Sequence, residues 1–178
     1  ARIRRMTKTA PDIDERLKHM SALLDQGIAL KRRIIEDLRP SALSNLGLIP
    51  ALEILTQEFA QRSGLQLQLE LTDWPMDDGD RLALYRLVQE ALTNVFRHAE
   101  ASAVDVTIEP LQQTMAGHRR SYTRVRVRDD GRGLSPEYKL GFGLTGMRER
   151  LLALGGTLTV ASTGTGVTIE AMVPADAA

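Results

Sequence analysis

Apolar residues recur at three- and four-residue intervals over residues 13–38: Ile13, Leu17, Met20, Leu23, Leu24, Leu30, Ile34 and Leu38, with charges between them. That spacing predicts an amphipathic helix. Asp12 or Asp14 can cap its start behind Pro11, and Pro40 ends it. A short helical tail over residues 1–9 precedes the turn, so the pattern predicts an antiparallel hairpin. A hairpin alone buries little, and its stripe needs a partner helix pair.

Beyond Pro40 the pattern changes. A loop is expected over 41–47 and a helix over 50–62, with Pro50 in its first turn and Gly64 past its end. Leu65-Gln66-Leu67-Gln68-Leu69-Glu70-Leu71 alternates strictly, the mark of a strand with one buried face. A loop over 74–79 leads to a helix over 80–98. Strands follow at 103–109 and 121–128, with the polar insert 112–120 as an exposed hairpin tip. A glycine-rich region over 129–146 runs into a helix at 144–154, which Gly155-Gly156 stops. Strands at 157–162 and 166–173 close the chain. Helices interspersed with mostly hairpin-linked strands predict an α+β fold, a two-layer sandwich with helices on one face of a mixed sheet.

With 178 residues the chain accommodates one domain and an appendage. Acidic and basic residues number 23 each, so no global field favours nucleic acid or an anionic membrane. The absence of cysteine excludes disulfides, thiolate metal sites and a cysteine nucleophile. No apolar run approaches the ~20 residues that span a bilayer, and no membrane contact is expected of this segment. The chain opens at Ala1, inside a basic helical pattern, as expected for part of something longer.

Candidate chemistry begins on the helix over 80–98. At ~100° per residue, Glu90, Asn94 and Arg97 fall within about 60° of one another, opposite Leu84, Leu87, Val88, Ala91, Leu92 and Val95. A carboxylate, an amide and a guanidinium on one edge can activate a nucleophile, ligate a hard metal ion and contact a phosphate. The same edge also reads as the solvated face of an amphipathic helix. Asp129-Asp130-Gly131-Arg132-Gly133 follows a Val- and Arg-rich strand. A carboxylate there can accept a hydrogen bond from an exocyclic amine, and the same residues suit a surface turn. Gly141-Phe142-Gly143-Leu144-Thr145-Gly146-Met147 opens a helix whose free N–H groups suit a phosphate chain. Its spacing is neither that of a P-loop nor that of a Rossmann fingerprint.

In order and spacing, Glu90 and Asn94, then Asp129-x-Gly131-x-Gly133, then Gly141-x-Gly143, then Gly164-x-Gly166-Val167-Thr168 resemble the ATP-binding domain of sensor histidine kinases. Type II topoisomerases, Hsp90 chaperones and mismatch-repair ATPases share that superfamily and its Bergerat-type fold. Asp37-Leu38-Arg39-Pro40, Gln89-Glu90-Ala91-Leu92-Thr93-Asn94 with His98-Ala99, and Gly143-Leu144-Thr145-Gly146-Met147-Arg148-Glu149-Arg150 resemble the nitrate-sensor-like kinases in particular. The resemblance implies ATP and Mg²⁺ as cofactors. Asn94 would ligate Mg²⁺, and Glu90 would act as base or hold a metal-bound water. Arg97 and His98 would lie near the phosphates. Asp129 would receive the adenine amino group, with Thr168 supporting it through water. Gly131 and Gly133 would shape the adenine pocket, Gly141 and Gly143 would hinge a short lid, and Leu144 would line the nucleotide. Lys139 reads more simply as a solvated lid residue than as a phosphate contact.

No histidine here has the family's acceptor pattern, a His followed by Asp or Glu on the first bundle helix. His19 precedes Met20, His98 belongs to the nucleotide motif, and His118 lies in the polar insert. The acceptor is therefore expected upstream of Ala1. Residues 1–45 read as the end of a dimerisation hairpin, through which the parent would form a homodimer, and 46–178 as the ATP-binding domain. The resemblance implies cytoplasmic transfer of the γ-phosphoryl to that histidine and on to a response regulator receiver domain. The alternatives are a regulatory nucleotide-binding module without phosphotransfer and an anti-sigma-factor-type serine kinase; the hairpin argues against the second.

Overall fold

The computed structural model describes residues 40–115, 118–135, 137 and 141–175, together with 19, 20 and 24. The chain divides into two compact units, 1–41 and 42–178. In the first, His19, Met20 and Leu24 are helical. The rest of the expected hairpin, Lys139 and much of the lid lie outside the described residues. Among those residues no helix is long and apolar enough to cross a membrane.

From the boundary between the units onward the chain runs α1 (Ser41–Leu46), α2 (Leu48–Ser63), β1 (Gln66–Leu71), α3 (Asp78–Asn94), a π-helical turn (Val95–Ala99), β2 (Ala103–Met115), β3 (His118–Asp129), α4 (Phe142–Ala153), β4 (Thr157–Ser162) and β5 (Val167–Ala175). The strands form one sheet in the order β1-β2-β3-β5-β4. The β1–β2 pair is parallel and the other pairs are antiparallel, so the sheet is mixed, as the sequence predicts. Strand alternation sorts the two faces. Val104, Val106, Ile108, Val125, Val127, Ile169, Ala171 and Val173 turn inward, and Leu52, Leu84, Leu87, Leu92 and Leu151 of the helical layer cover them, fully buried. The outer face carries Asp105, Arg126, Arg128 and Glu170, with Arg124 bridging Glu109 and Glu170.

Three elements depart from the sequence reading. The expected loop over 41–47 is mostly helix α1, whose Leu43 joins the core, and the chain breaks only at Gly47, where φ is +87°. The expected polar hairpin tip is paired strand: register runs unbroken from Val104↔Asp129 to Met115↔His118. Polar side chains on an exposed two-stranded ribbon satisfy strand geometry as readily as loop geometry, and hydropathy alone does not separate them. The third departure decides the site. The helix over 80–98 is α-helical only to Asn94 and closes through the π-turn. A turn closed i→i+5 holds one more residue than an α-turn, so every later position lags behind the α-helical wheel.

Candidate functional site

Asp129 ends β3 at the sheet's inner face and is only 6% exposed. Its Oδ1 accepts from the backbone N–H of Gly131 at 2.9 Å and of Val167 at 3.3 Å. Its Oδ2 is left with no protein donor among the described residues. A buried carboxylate held at one oxygen and open at the other accepts a hydrogen bond from a ligand amine. Beside it lies a cavity of about 50 Å³, walled by Ala91, Asn94, Val95, His98 and Ala99 from α3 and the π-turn, with Leu134, Leu144, Val160, Val167 and Ile169 opposite. That holds roughly four waters, which matches a flat heterocycle. A wider mouth of about 470 Å³ shares His98, Gly133 and Leu134 with it.

The π-turn corrects the helical-wheel grouping of Glu90, Asn94 and Arg97. Because positions after Asn94 lag, His98 arrives where α-helical spacing places Arg97. His98 lines the cavity, while Arg97 lines a separate groove with Thr93 and Phe96. Thr168 is displaced too. Ile169, Ala171 and Val173 face the core, so Thr168 shares the outer face with Glu170, and the N–H of Val167 supports Asp129 instead. One residue of register separates the two, and a period of two reverses the face.

Glu90 and Asn94 do meet: Asn94 Nδ2 donates to Glu90 Oε1 at 3.4 Å, and both side chains are half-buried. The first turn of α4 closes over this pair. Gly143 lies so close to the Glu90 carboxylate that any side chain there would displace it. Gly141 ends the lid at the N-cap of α4 and brings no side-chain cap, so the first-turn amides remain available beside Glu90 and Asn94. Leu144, one residue on, is buried and lines the cavity.

The loop after β3 is tied down from two sides. Gly131 packs against the Ala99 carbonyl, where a Cβ would overlap the oxygen. Arg132 donates from its backbone N–H to Ala99 O and from Nε to His98 O, both at 2.9 Å, and pairs with Glu100 at 3.0 Å. Those bonds satisfy carbonyls at the end of the π-turn, next to Glu100 with φ +54°. Gly133 reaches the other side of the loop, against Ser162 and Gly164. Sequence reasoning missed Arg132 as the clamp, and also Leu134, Val160 and Ile169. Strand alternation offered a signal for the last two.

The two aspartates of the motif divide the work. Asp130 faces away from the cavity and staples β2 to the loop: the Ser102 hydroxyl donates to it, and the N–H groups of Ser102 and Ala103 donate at 2.8 Å each. The Ser102 hydroxyl first, then the two amides, lower its pKa from 3.8 to about 2. Because the folded value lies below the unfolded one, this contribution to stability is full above 3.8 and lost as pH falls towards 2. Asp130→Asn is therefore expected to melt below wild type near neutrality, the gap closing across that window. Melting curves over a pH series check this, and a constant gap would refute it.

Residues 79–177 match the model of the histidine kinase-, DNA gyrase B-, and HSP90-like ATPase family. Among curated relatives, the chain is 41% identical over 147 residues to the signal transduction histidine-protein kinase/phosphatase UhpB of Salmonella typhimurium, covering 78% of this chain and 27% of that one. It is 37% identical over 174 residues to the histidine-protein kinase/phosphatase DegS of Brevibacillus brevis, covering 91% and 42%. The chain thus spans less than half the length of either relative. Among solved structures, the Acinetobacter baumannii histidine kinase AdeS superposes with a TM-score of 0.58 at 20% identity, covering 89% of this chain and 84% of that one, a likeness of fold. The motifs, the mixed sheet under its helical layer and these matches agree: the chain belongs to the histidine kinase-, DNA gyrase B- and HSP90-like ATPase family, as a homologue of two-component sensor histidine kinases.

Proposed function

We propose that this chain supplies the ATP-binding catalytic unit of a sensor histidine kinase of the nitrate-sensor-like type. The γ-phosphoryl of ATP passes to a histidine outside this chain and then to an aspartate on a response regulator receiver domain, on the cytoplasmic side. The observation that carries the reading is Asp129, buried on the cavity floor with one oxygen held and the other open. That oxygen takes the adenine amino group. Ala91, Val95, Leu134, Leu144, Val160 and Ile169 sandwich the ring and exclude water. His98 and the first-turn amides of α4 face the phosphates.

The described residues fit Mg²⁺ only as an ion shared with the nucleotide. No group of three His, Asp or Glu among them can hold a metal by itself, whereas Asn94 offers one amide oxygen beside the cavity. Mg²⁺ characteristically takes few protein ligands together with phosphate oxygens. When bound, the ion neutralises phosphate charge and polarises the transferring group. Asn94 would hold it, its own amide oriented by Glu90 Oε1. Glu90 keeps its carboxylate under α4, placed to hold a water or take a proton. Residues 1–41 would provide the end of the dimerising hairpin of the parent protein, since Leu43 already belongs to the core of the second unit.

Calorimetric titration with non-hydrolysable ATP and GTP analogues plus Mg²⁺ tests the reading. Guanine presents a carbonyl where adenine has its amine, so the ATP analogue should bind at least ~10-fold more tightly. Equal affinity for the two would refute the assignment of Asp129, and no binding of either would refute the nucleotide site.

A further inference from the structure

The register that carries His98 into the cavity carries Phe96 and Arg97 out of the helical layer on the opposite flank. There they border a groove of about 270 Å³ with Phe59, Arg62, Ser63 and Thr93. Phe96 is 65% exposed and meets the buried Phe59 edge to face, with centroids 6.4 Å apart and planes at 80°. One exposed aromatic requires no explanation by itself. Its setting does. Arg81, Arg124 and Arg132 each face a carboxylate, whereas Arg126 and Arg128 on the outer sheet face form no salt bridge among the described residues but have no exposed aromatic beside them. The guanidiniums of Arg62 and Arg97 meet no carboxylate among the described residues, the single bond of Arg62 being to the Glu58 carbonyl at 3.3 Å.

We propose that this groove docks a short acidic segment of a protein partner, with one large apolar side chain against Phe96 and flanking Asp or Glu on Arg62 and Arg97. A phenyl ring sharing a groove with two arginines matches the enrichment of aromatic residues and Arg at interfaces. A guanidinium pairs with a carboxylate through two parallel hydrogen bonds, which supplies the charge the groove lacks. Two isolated arginines on a chain of formal net charge zero make no track for a polyanion, and that favours an acidic peptide over nucleic acid. The proposal stands independently of the nucleotide assignment, since none of the groove residues enters that cavity.

The test uses the isotope-labelled chain and a synthetic ten-residue peptide of glutamates around a central Phe, followed by amide chemical shifts. Matched peptides replace Glu by Gln or Phe by Ser. Shifts should centre on Ser63, Thr93, Phe96 and Arg97, and each matched peptide should bind at least ~5-fold more weakly. Phe96→Ser and Arg62→Gln should each weaken the acidic peptide by at least ~5-fold with only a small fall in melting temperature, since both side chains are exposed and Phe96 gives up only its edge contact with Phe59. Shifts centred on Arg126 and Arg128 instead, equal binding of the Gln peptide, or no effect of Phe96→Ser would overturn the proposal. So would tighter binding of a single-stranded oligonucleotide at the groove, or self-association of the chain that Phe96→Ser abolishes.

Discussion

Asp129→Asn is expected to bind an ATP analogue about 100-fold more weakly than wild type while melting within about 2 °C of it. The split follows from how the two carboxylate oxygens are used. Oδ1 serves the fold, accepting from Gly131 and Val167. Asparagine keeps an acceptor there, so the strand ends and the glycine loop retain their partners. Oδ2 faces the cavity, and in asparagine that position becomes an amide donor. An adenine amine then meets a donor where it needs an acceptor, at a residue that is only 6% exposed. A hydrogen bond to a charged group contributes about 1.5–3 kcal/mol, and leaving the buried donor unpaired adds to the loss. Together these reach the ~2.7 kcal/mol that corresponds to 100-fold. Calorimetry and thermal melting on one preparation separate the two effects. Unchanged affinity would remove Asp129 from adenine recognition, and a large loss of stability would show that both oxygens hold the fold.

The legible and illegible parts of this site differ for a physical reason. Strict alternation marked β1 and the core of β3, because a one-residue slip would turn every apolar side chain outward. The buried stripe of α3 was equally plain, since Leu84, Leu87, Val88, Ala91 and Leu92 have one helical arrangement that covers the sheet. Glu90 and Asn94 share an α-helical turn, and their meeting follows from spacing alone. The π-turn has no such mark. Val95 and Ala99, four apart, stay buried in either helical form, so the apolar pattern is silent while the polar residues between them exchange places. That silence is why Arg97 was grouped with Glu90 and Asn94 and expected near the phosphates. Thr168 and Val167 differ by one register position, which depends on where the turn at Gly164 and Gly166 releases the chain into β5. Composition does not specify that point; the approach of Gly166 to Asp129 does.

Gly166→Ala should therefore damage stability and nucleotide binding together, lowering the melting temperature by roughly 10 °C through a loss of about 3 kcal/mol or more. Gly166 has φ +131°, a conformation that a Cβ makes costly, and the added atom would overlap the Asp129 carbonyl oxygen. It would also stand 3.0 Å from that carbonyl carbon and 3.3 Å from Asp130 Cα. These are backbone atoms at the end of β3, where no side chain can swing aside. Relief requires the start of β5 to retreat, and that draws the Val167 N–H away from Asp129 Oδ1. The carboxylate then loses one of its two anchors and its aim into the cavity. Gly164→Ala supplies the comparison, because Gly164 also has positive φ, +79°, but a Cβ there meets nothing within 4 Å. It should lose only about 1–2 kcal/mol of backbone strain and keep its affinity. Equal effects of the two substitutions, in melts and in titrations with the ATP analogue, would mean that strain alone governs this turn. A larger loss at Gly166, appearing in both measurements, would locate the contact that converts the end of a strand into an oriented carboxylate.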